Sequence, residues 1–410
     1  MIPSCVVIGA SHAAAEVVSA VRKEGWEGDI TVFGEELYLP YHRPPLSKTF
    51  LLGNQSVEDI FIRNSDLYKR LDVHFILGRR VVEIDRANKQ IKLDDGTRRS
   101  YDKLAICTGS RVRRLDLKGG DLQGIHYLRT VDDVRSIQKS TQPGQKALIV
   151  GGGYIGLEMA ASLKKFGMKV SVLELGPRLL ERVAAPELSD FFARIHMEEG
   201  IEIQCGKSVS SFEGVKGRVT KGICSDGSVF EADLVVVGVA ILPNVELAQE
   251  AGLEVSNGIL VDQYARTADP DVVAAGDCTN HPNEILNCRL RLESVPNAVE
   301  QAKSAAAAIC GKEREYASVP WFWSDQYDVK LQIVGINSGY DEIIVRGDCK
   351  IGRSFVLFYL NQGKLIAADC VNRPKEFMAV KQFFSKRLEV DISRLSDEST
   401  LPKDFIAKSF

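Results

Sequence analysis

Three glycines stand at the spacing with which a chain binds the pyrophosphate of a dinucleotide. Gly151, Gly153 and Gly156 follow the apolar residues 147–150 and precede a segment whose apolar residues keep helical spacing. The first glycine permits a tight turn, the second lets the backbone approach a phosphate, and the third lets the helix pack closely. The N–H groups that begin such a helix point at the phosphates. We assign to this site Gly151, Gly153, Tyr154, Ile155 and Gly156.

An acidic residue lies where a dinucleotide bound at this turn would present its ribose. Glu174 ends the next predicted strand, 23 residues after Gly151. Its carboxylate can accept hydrogen bonds from the ribose hydroxyls and would repel a 2′-phosphate. NADH is therefore the expected nucleotide, rather than NADPH. Gly238, which ends the apolar strand that begins at Leu234, is assigned to the same site.

A second, weaker glycine turn lies near the N-terminus. Gly9 is followed by Ser11 and Ala14 where the pattern has its second and third glycines. These are small residues, and a phosphate can still approach the backbone beside them. Further candidates lie at or just past the carboxyl ends of predicted strands, the edge where open α/β sheets bind ligands: Glu35, Thr108, Gly109 and Asp277.

A long alanine-rich helix is predicted from Pro296 to about Ile309. Its first N–H groups, near Val295, can face a ring that carries negative charge. A reduced flavin is such a ring. Together with the weaker glycine turn, this helix predicts FAD.

The elements that position these residues follow from the apolar pattern. Each glycine turn lies within a β-α-β unit, and the two units start about 140 residues apart, as in tandem Rossmann-type domains. From about Ser318 the chain becomes aromatic and strand-like, and a closing helix is predicted over 376–386. A separate C-terminal α+β domain is therefore expected.

Composition excludes several other classes. The 410 residues carry 52 Lys and Arg against 55 Asp and Glu, and this net charge of −3 provides no basic surface for nucleic acid or an anionic membrane. No apolar run approaches the roughly 20 residues that a membrane span requires, and the N-terminus has no basic leader. Nine scattered cysteines without C-x-x-C indicate reduced, mostly structural thiols. We expect a cytoplasmic protein that binds neither nucleic acid nor membrane.

The six histidines show no metal-binding spacing, and neither H-E-x-x-H nor G-x-S-x-G occurs. No metal site is predicted. We expect the histidines at pocket edges or on the surface.

Four segments carry a resemblance to a known family: RPPLSK at 43–48, YIGLE at 154–158, ESVPN at 293–297 and PWFWSDQY at 320–327. With the two turns, they closely resemble the FAD-dependent ferredoxin reductases of oxygenase systems, namely the putidaredoxin reductase type and the reductase components of Rieske dioxygenases. The resemblance covers essentially the whole chain. It implies an α/β, glutathione-reductase-like fold with an FAD domain (1–111 and 241–316), an inserted NAD domain (112–240) and a C-terminal interface domain (317–410).

The resemblance also implies roles for individual residues. It places Ala13 at the flavin pyrophosphate, Glu35 at the ribose, Lys48 near the isoalloxazine and Asp277 on the ribityl chain. With the residues of the first turn and the strand ends, the full set expected to bind FAD is Gly9, Ser11, Ala13, Ala14, Glu35, Arg43, Lys48, Val81, Thr108, Gly109, Arg129, Asp277, Val295 and Trp323. Glu158 is expected to meet the nicotinamide carboxamide and to pair with Lys48, and Trp323 to lie between the flavin and the partner's cluster.

The implied reaction takes electrons from NADH and passes them singly to a [2Fe–2S] ferredoxin that serves a cytochrome P450 or a Rieske oxygenase. Hydride transfer between stacked rings needs orientation and electrostatics, so we nominate no general base. Arg63, Lys303 and Lys381 match positions that the family uses against an acidic ferredoxin. The expected assembly is a monomer or a weak dimer.

Three other readings share the architecture. A disulfide reductase requires a cysteine pair within residues 41–52, and none is there. A signalling flavoprotein of the apoptosis-inducing-factor type would favour a basic face or a targeting leader, and slow reduction by NADH would mark it. An NADH oxidase needs a peroxide-reactive cysteine, and rapid oxygen consumption without a carrier would reveal it.

Overall fold

Two parallel sheets hold the two glycine turns, one in each of two structural units. The structure, a computed structural model, describes residues 2–405. One unit comprises the chain up to His42 together with Val57–Arg111 and Ile241–Pro320. The other comprises Arg43–Ser56, Val112–Ala240 and the chain from Trp321 onward. The segment Arg43–Ser56 thus belongs to the second unit, although it lies within the range expected for the FAD domain.

The helices of the described chain include four short 3₁₀ turns at Pro44–Ser47, Glu58–Ile60, Ile392–Arg394 and Pro402–Asp404. The α-helices are α1 (His12–Lys23), α2 (Ser65–Arg70), α3 (Val131–Ser140), α4 (Tyr154–Lys165), α5 (Pro186–Glu198), α6 (Glu246–Glu250), α7 (Val295–Ile309) and α8 (Pro374–Lys386). Within the described residues, no helix is long and apolar enough to cross a membrane.

The strands are mostly short. The first thirteen are β1 (Ser4–Ile8), β2 (Asp29–Gly34), β3 (Val73–Leu77), β4 (Val81–Asp85), β5 (Gln90–Leu93), β6 (Arg98–Ser100), β7 (Lys103–Ile106), β8 (Ser110–Val112), β9 (Ile125–Tyr127), β10 (Lys146–Val150), β11 (Lys169–Glu174), β12 (Glu202–Cys205) and β13 (Val209–Val215). The others are β14 (Arg218–Cys224), β15 (Val229–Glu231), β16 (Leu234–Val237), β17 (Ile241–Pro243), β18 (Ile259–Leu260), β19 (Val272–Ala274), β20 (Thr279–Asn283), β21 (Cys288–Leu290), β22 (Trp321–Gln326), β23 (Val329–Gly335), β24 (Glu342–Asp348), β25 (Ser354–Asn361) and β26 (Lys364–Val371).

The first unit is built on a parallel sheet of order β19-β7-β1-β2-β3. Ile8 pairs with Phe33 on one side and with Ile106 on the other, so the three strands end at the same edge. Valines of α1 and alanines of α7 lie in one buried cluster against this sheet. Two further three-stranded sheets, β4-β5-β6 and β18-β20-β21, lie in the same unit.

The second unit repeats this plan with a parallel sheet of order β12-β11-β10-β16-β9. Val150 pairs with Leu173 and with Val237, which again brings strand ends to one edge. Helix α4 follows β10 directly and is stopped by Gly167, whose φ of +95° favours glycine. The sheet β13-β14-β15 lies in the same unit.

The C-terminal part of the second unit is an antiparallel sheet of order β22-β23-β26-β25-β24. Strand β25 is buried over most of its length and forms the centre of this core. Arg346, which is 2% exposed, ties the chain after α8 to the sheet. Its guanidinium donates to the carbonyls of Asp397 at 2.6 Å and Thr400 at 2.7 Å.

Candidate active site

The glycines of the second turn have three different environments. A Cβ at Gly151, whose φ is +111°, would lie 2.4 Å from the carbonyl oxygen of Gly238. A Cβ at Gly156 would lie 2.1 Å from the carbonyl oxygen of Gly151, so the helix start packs directly on the turn. At Gly153 no described atom lies within 4 Å of that position. The open backbone at Gly153 is therefore where a phosphate can approach the first turn of α4.

The carboxylate of Glu174 lies over this turn. Its Oε2 accepts a hydrogen bond from the Gly152 N–H at 2.6 Å, and its Oε1 accepts one from the Gly176 N–H at 2.7 Å. Two backbone donors thus fix the direction of the negative charge. The arrangement fits a ribose with free hydroxyls and opposes a phosphate in the same place.

The first turn packs in the same way in spite of its degraded pattern. Gly9 has a φ of +104°, and a Cβ there would lie 2.2 Å from the carbonyl oxygen of Cys107. A Cβ at Gly276 would lie 3.3 Å from the Cβ of Ala13. Ser11 is the N-cap of α1, and Ala14 is buried at its first turn. The turn, the strand end at Cys107 and the Gly276 turn therefore meet, as a phosphate cradle requires.

When the two Rossmann-type folds are compared, Glu35 of the first lies one residue past the position that Glu174 has in the second. In the two folds, Gly9 and Gly151 donate equivalent backbone bonds to Phe33 and Leu173. Gly34 then occupies the place that corresponds to Glu174, and a Cβ there would lie 2.7 Å from the Cβ of Ala10. A side chain is excluded at that point, so the acidic residue follows it. Glu35 is exposed.

Polar residues that the sequence did not single out hold the strand ends of the first unit. Ser110 donates to Asp277 Oδ2 at 2.8 Å. Thr108 Oγ1 donates to the carbonyl of Asn244 at 2.7 Å, and Asn244 Nδ2 donates back to the Thr108 carbonyl at 2.8 Å. These contacts fix the side chain of Asp277 and both the side chain and the backbone carbonyl of Thr108. Their partners are more than 130 residues away in sequence, which leaves no local signal.

Gln301 of α7 supports the same edge. Its Oε1 accepts bonds from the Gly276 N–H and from Thr279 Oγ1, both at 2.8 Å. Its Nε2 is buried and has no hydrogen-bond partner among the described residues. A buried donor of this kind has unused capacity for a polar group of a bound nucleotide. Helix α7 starts at Val295, and Ser294 caps it by accepting from Asn297.

The second unit contains an ion pair whose carboxylate is buried and whose ammonium is partly exposed. Lys48 Nζ lies 2.5 Å from Glu158 Oε2, and the two side chains are 20% and 4% exposed. Ser47 Oγ donates to the same carboxylate oxygen at 2.5 Å, whereas Ser324 Oγ donates to Oε1 at 2.7 Å. Glu158 lies on the inner face of α4, and Lys48 lies on the segment Arg43–Ser56. The contact expected between Lys48 and Glu158 is therefore present.

The other residues expected to bind FAD are divided between the units. Arg43 and Arg129 lie in the second unit, where the guanidinium of Arg43 donates to the carbonyl of Arg129. Trp323 also belongs to this unit, on β22, where it is partly buried with its ring 5.6 Å from that of Trp321. Val81 is buried at the start of β4 in the first unit. The binding roles of these residues stay predictions.

The three cations expected to guide a ferredoxin already have partners. Arg63 pairs with Glu16 at 2.7 Å, and Lys303 pairs with Glu300 at 2.5 Å. Lys381 Nζ lies 4.2 Å from the centre of the Trp321 ring. Their role in docking stays a prediction.

The expectation that the histidines lie at pocket edges or on the surface is wrong for His196 and His281, which are completely buried. His12 is also buried, at the first glycine turn. Burial lowers the pKa of His196 and of His281 to about 4. His196 lies four residues after Phe192 on the apolar face of α5, a helical spacing that could have indicated its burial. Among the described residues, no group of three potential ligands could hold a metal ion.

The chain has the features of a nucleotide-dependent oxidoreductase: two Rossmann-type folds, an acidic residue over one of the glycine turns, and a Lys–Glu ion pair with a buried carboxylate. The chain belongs to the pyridine nucleotide-disulphide oxidoreductase family, whose model matches residues 3–302, and a Reductase C-terminal model matches residues 321–406. The predicted family, glutathione-reductase-like fold, oxidoreductase class and cofactors FAD and NAD are confirmed.

The chain is similar over nearly its whole length to individual proteins. It is 41% identical to putidaredoxin reductase CamA of Pseudomonas putida over 407 residues, and this aligned region covers 98% of this chain and 96% of that protein. It is 38% identical over 405 residues to the anthranilate 1,2-dioxygenase system ferredoxin–NAD(+) reductase component of Burkholderia cepacia, with 98% of each covered. A chain of the solved covalent putidaredoxin reductase–putidaredoxin complex matches with a TM-score of 0.95, 40% identity and 98% of each chain covered.

Proposed function

We propose that this protein is an NADH-dependent reductase that passes electrons through FAD to a [2Fe–2S] ferredoxin, which in turn supplies a cytochrome P450 or a Rieske oxygenase. The observation that carries the proposal is the ion pair between the buried Glu158 of the nucleotide helix and Lys48, which lies in a segment without cysteine. A disulfide reductase would need a reactive thiol pair in that segment. Two relatives, one named as a putidaredoxin reductase and one as a ferredoxin–NAD(+) reductase component, are similar over 98% of this chain and support the same direction of electron flow.

The nucleotide is chosen by the second turn. The amides at the start of α4 would hold the pyrophosphate, and Gly153 gives them an open approach. Glu174, fixed by the N–H groups of Gly152 and Gly176, would accept the ribose hydroxyls. A 2′-phosphate would meet this negative charge, so NADH is preferred.

The first unit would hold FAD through its glycine turn, with Ala13 at the pyrophosphate, Glu35 at the ribose and Asp277 at the ribityl chain. Bound flavin supplies the redox chemistry, which is acceptance of a hydride followed by release of single electrons. Glu158 orients the carboxamide of the nicotinamide, and Lys48 places a positive charge beside it. The pair neutralises itself at a depth where a lone charge would be costly. Neither residue has to move a proton.

The exit of electrons is assigned to the aromatic residues of β22. Trp323 and Trp321 lie with ring centres 5.6 Å apart, and the Lys381 ammonium lies over the second ring. Such a surface combines an apolar body with positive charge, which suits an acidic redox partner. Arg63 and Lys303 are proposed as further contacts with the ferredoxin.

Stopped-flow mixing of the yellow holoenzyme with NADH, followed by a [2Fe–2S] ferredoxin, tests this function. We expect rapid bleaching of the flavin and then stoichiometric reduction of the ferredoxin. Rapid oxygen consumption that ferredoxin does not accelerate would identify an oxidase instead. Slow bleaching with a long-lived charge-transfer band and no ferredoxin reduction would identify a signalling flavoprotein.

A further inference from the structure

A line of buried side chains continues from Glu158 into the C-terminal sheet. Ser324 Oγ lies 2.7 Å from Glu158 Oε1, and Gln326 Nε2 lies 3.2 Å from Ser324 Oγ. Gln326 Oε1 lies 2.8 Å from His196 Nε2, and the Tyr327 hydroxyl lies 3.0 Å from His196 Nδ1. Glu158, Ser324, Gln326 and His196 are all at most 4% exposed. The line therefore runs through the interior of the second unit.

The backbone places these residues by simple periodicity. Ser324 and Gln326 are two positions apart on β22, so their side chains leave the strand on the same face. Helix α4 approaches this strand, and the ring of Tyr154 stands edge-on to that of Phe322 with centres 5.0 Å apart. His196 enters the line from α5.

Tyr327 stands in a strained backbone conformation. Its φ of +55° is rare for a bulky residue, and it lies in the two-residue turn between β22 and β23, where asparagine or glycine is usual. Such strain persists only where the surroundings hold the residue in place. Here the hydroxyl meets His196 and the two rings pack edge to face, with centres 5.2 Å apart.

The protons in this line can be assigned from one premise. Glu158 is a carboxylate because it forms an ion pair with Lys48, so it only accepts. Ser324 must then give its hydroxyl proton to Glu158 and accept from the amide nitrogen of Gln326. The amide oxygen of Gln326 consequently faces His196, whose Nε2 must carry the proton. Burial lowers the pKa of His196 to about 4, so the ring is neutral and its Nδ1 accepts from Tyr327.

We infer that Ser324 and Gln326 are positioning residues that hold the carboxylate of Glu158 in the orientation in which its Oε2 faces Lys48. Ser324 occupies Oε1, whereas Ser47 and Lys48 occupy Oε2, so the carboxylate has a donor on each side. Gln326 cannot ionise, and its two ends are chemically different. Once Ser324 donates to Glu158, Gln326 can therefore carry only one direction of donation along the line. The effect on hydride transfer rests on the proposed function, but the direction of the line does not.

The direction can be read from His196 by NMR on the full-length holoenzyme labelled with [15N]histidine. Long-range proton–nitrogen spectra distinguish the two neutral forms of the ring, and His196→Asn assigns the signal. We expect a proton on Nε2 and none on Nδ1 at neutral pH. A proton on Nδ1 would reverse Gln326 and turn Ser324 away from Glu158, which would overturn the inference.

Kinetics of the same holoenzyme test the consequence. Ser324→Ala removes the donor to Glu158 Oε1. The loss of a hydrogen bond to a charged group should slow flavin reduction by NADH about tenfold. We expect the loss in the limiting rate constant rather than in the affinity for NADH, and recovery in Ser324→Thr. Ser304→Ala, which removes a buried hydroxyl without a partner among the described residues, is the matched control.

Two results would overturn the positioning role. One is a Ser324→Ala rate equal to that of Ser304→Ala, and the other is an equal loss in Ser324→Ala and Ser324→Thr. Wild-type protein that is reduced by NADH but never reduces a ferredoxin would overturn the proposed function alone. The two failures are therefore distinguishable.

Discussion

Glu174 Oε2 and the backbone nitrogen of Gly152 lie 2.6 Å apart, so the acidic residue is fixed on the glycine turn itself. The second carboxylate oxygen is held in the same way by Gly176. A charge held by two amides does not turn away when a ligand arrives. Discrimination between the two nicotinamide nucleotides should therefore depend on this side chain.

Replacement of Glu174 by arginine should reverse the sign of the charge that a 2′-phosphate meets. We expect the preference for NADH over NADPH, measured as the ratio of kcat/KM values, to fall by about tenfold or more. Glu174→Gln retains an acceptor for Gly152 and serves as the matched control, with a smaller change. An unaltered ratio in the arginine variant would refute the role of Glu174.

Lys48 and Glu158 should be coupled in stability. Lys48→Met leaves a carboxylate that is 4% exposed without its counter-charge, and we expect a loss of about 2 kcal/mol in the free energy of unfolding. Glu158→Gln in the same chain should restore part of that loss, because it removes the unpaired charge. Urea unfolding of the two single variants and the double variant measures the coupling. Strictly additive losses would contradict it.

Trp323→Ala should separate the two halves of the reaction. If this ring lies on the electron exit, reduction of ferredoxin falls several-fold while reduction of the flavin by NADH is nearly unchanged. Stopped-flow traces with a small artificial acceptor, such as ferricyanide, provide the control, since that acceptor does not need the docking surface. Equal losses in both half-reactions would exclude an exit role.

Acid should destabilise the protein through two buried histidines. Burial lowers the pKa of His196 and of His281 from 6.5 to about 4. Between these two pH values the unfolded chain therefore binds more protons than the folded chain. The contribution of the neutral histidines to the free energy of unfolding is complete above about pH 6.5. It is lost as the pH falls toward 4, and the loss is roughly 3 kcal/mol for each histidine. The melting temperature of His281→Phe should depend less on pH in this window than that of the wild type. His74→Ala, at an exposed site, should follow the wild type.

Asp369 should have the opposite effect on the pH dependence of stability, because it makes the protein less stable as the pH rises. It is fully buried, accepts a hydrogen bond from Tyr359 at 2.5 Å, and burial raises its pKa from 3.8 to about 7. Stability associated with its neutral form is complete below about pH 3.8 and is lost as the pH rises through 7. Asp369→Asn should therefore gain stability over this range, on the order of 3 kcal/mol at pH 8. A gain that does not change between pH 4 and pH 8 would contradict this assignment.

The sequence predicted those parts of the site that depend on local backbone geometry. Gly151 must be glycine because its neighbour is the carbonyl of Gly238, and Glu174 follows from the length of a strand. Such features repeat at fixed spacing and can be read without tertiary structure. The Lys48–Glu158 contact joins residues 110 positions apart, and only the resemblance to a family indicated it.

The polar supports of the site could not be predicted in this way. Ser324 and Glu158 are separated by 166 residues, and His196 and Gln326 by 130. A serine or glutamine on an apolar strand looks the same in sequence whether its partner is water or a buried carboxylate. These contacts depend on which elements pack together, and that is a property of the whole unit.

The edge-on contact between Tyr154 and Phe322 joins the start of the nucleotide helix to the first strand of the C-terminal sheet. Together with the Glu158–Ser324 bond, it makes the packing of each region depend on side chains of the other. A recombinant that takes its nucleotide fold from one reductase and its C-terminal sheet from another would have to carry matching residues at both contacts. We therefore expect related reductases to exchange these two regions together. Either region should vary independently of the other only at positions outside these two contacts.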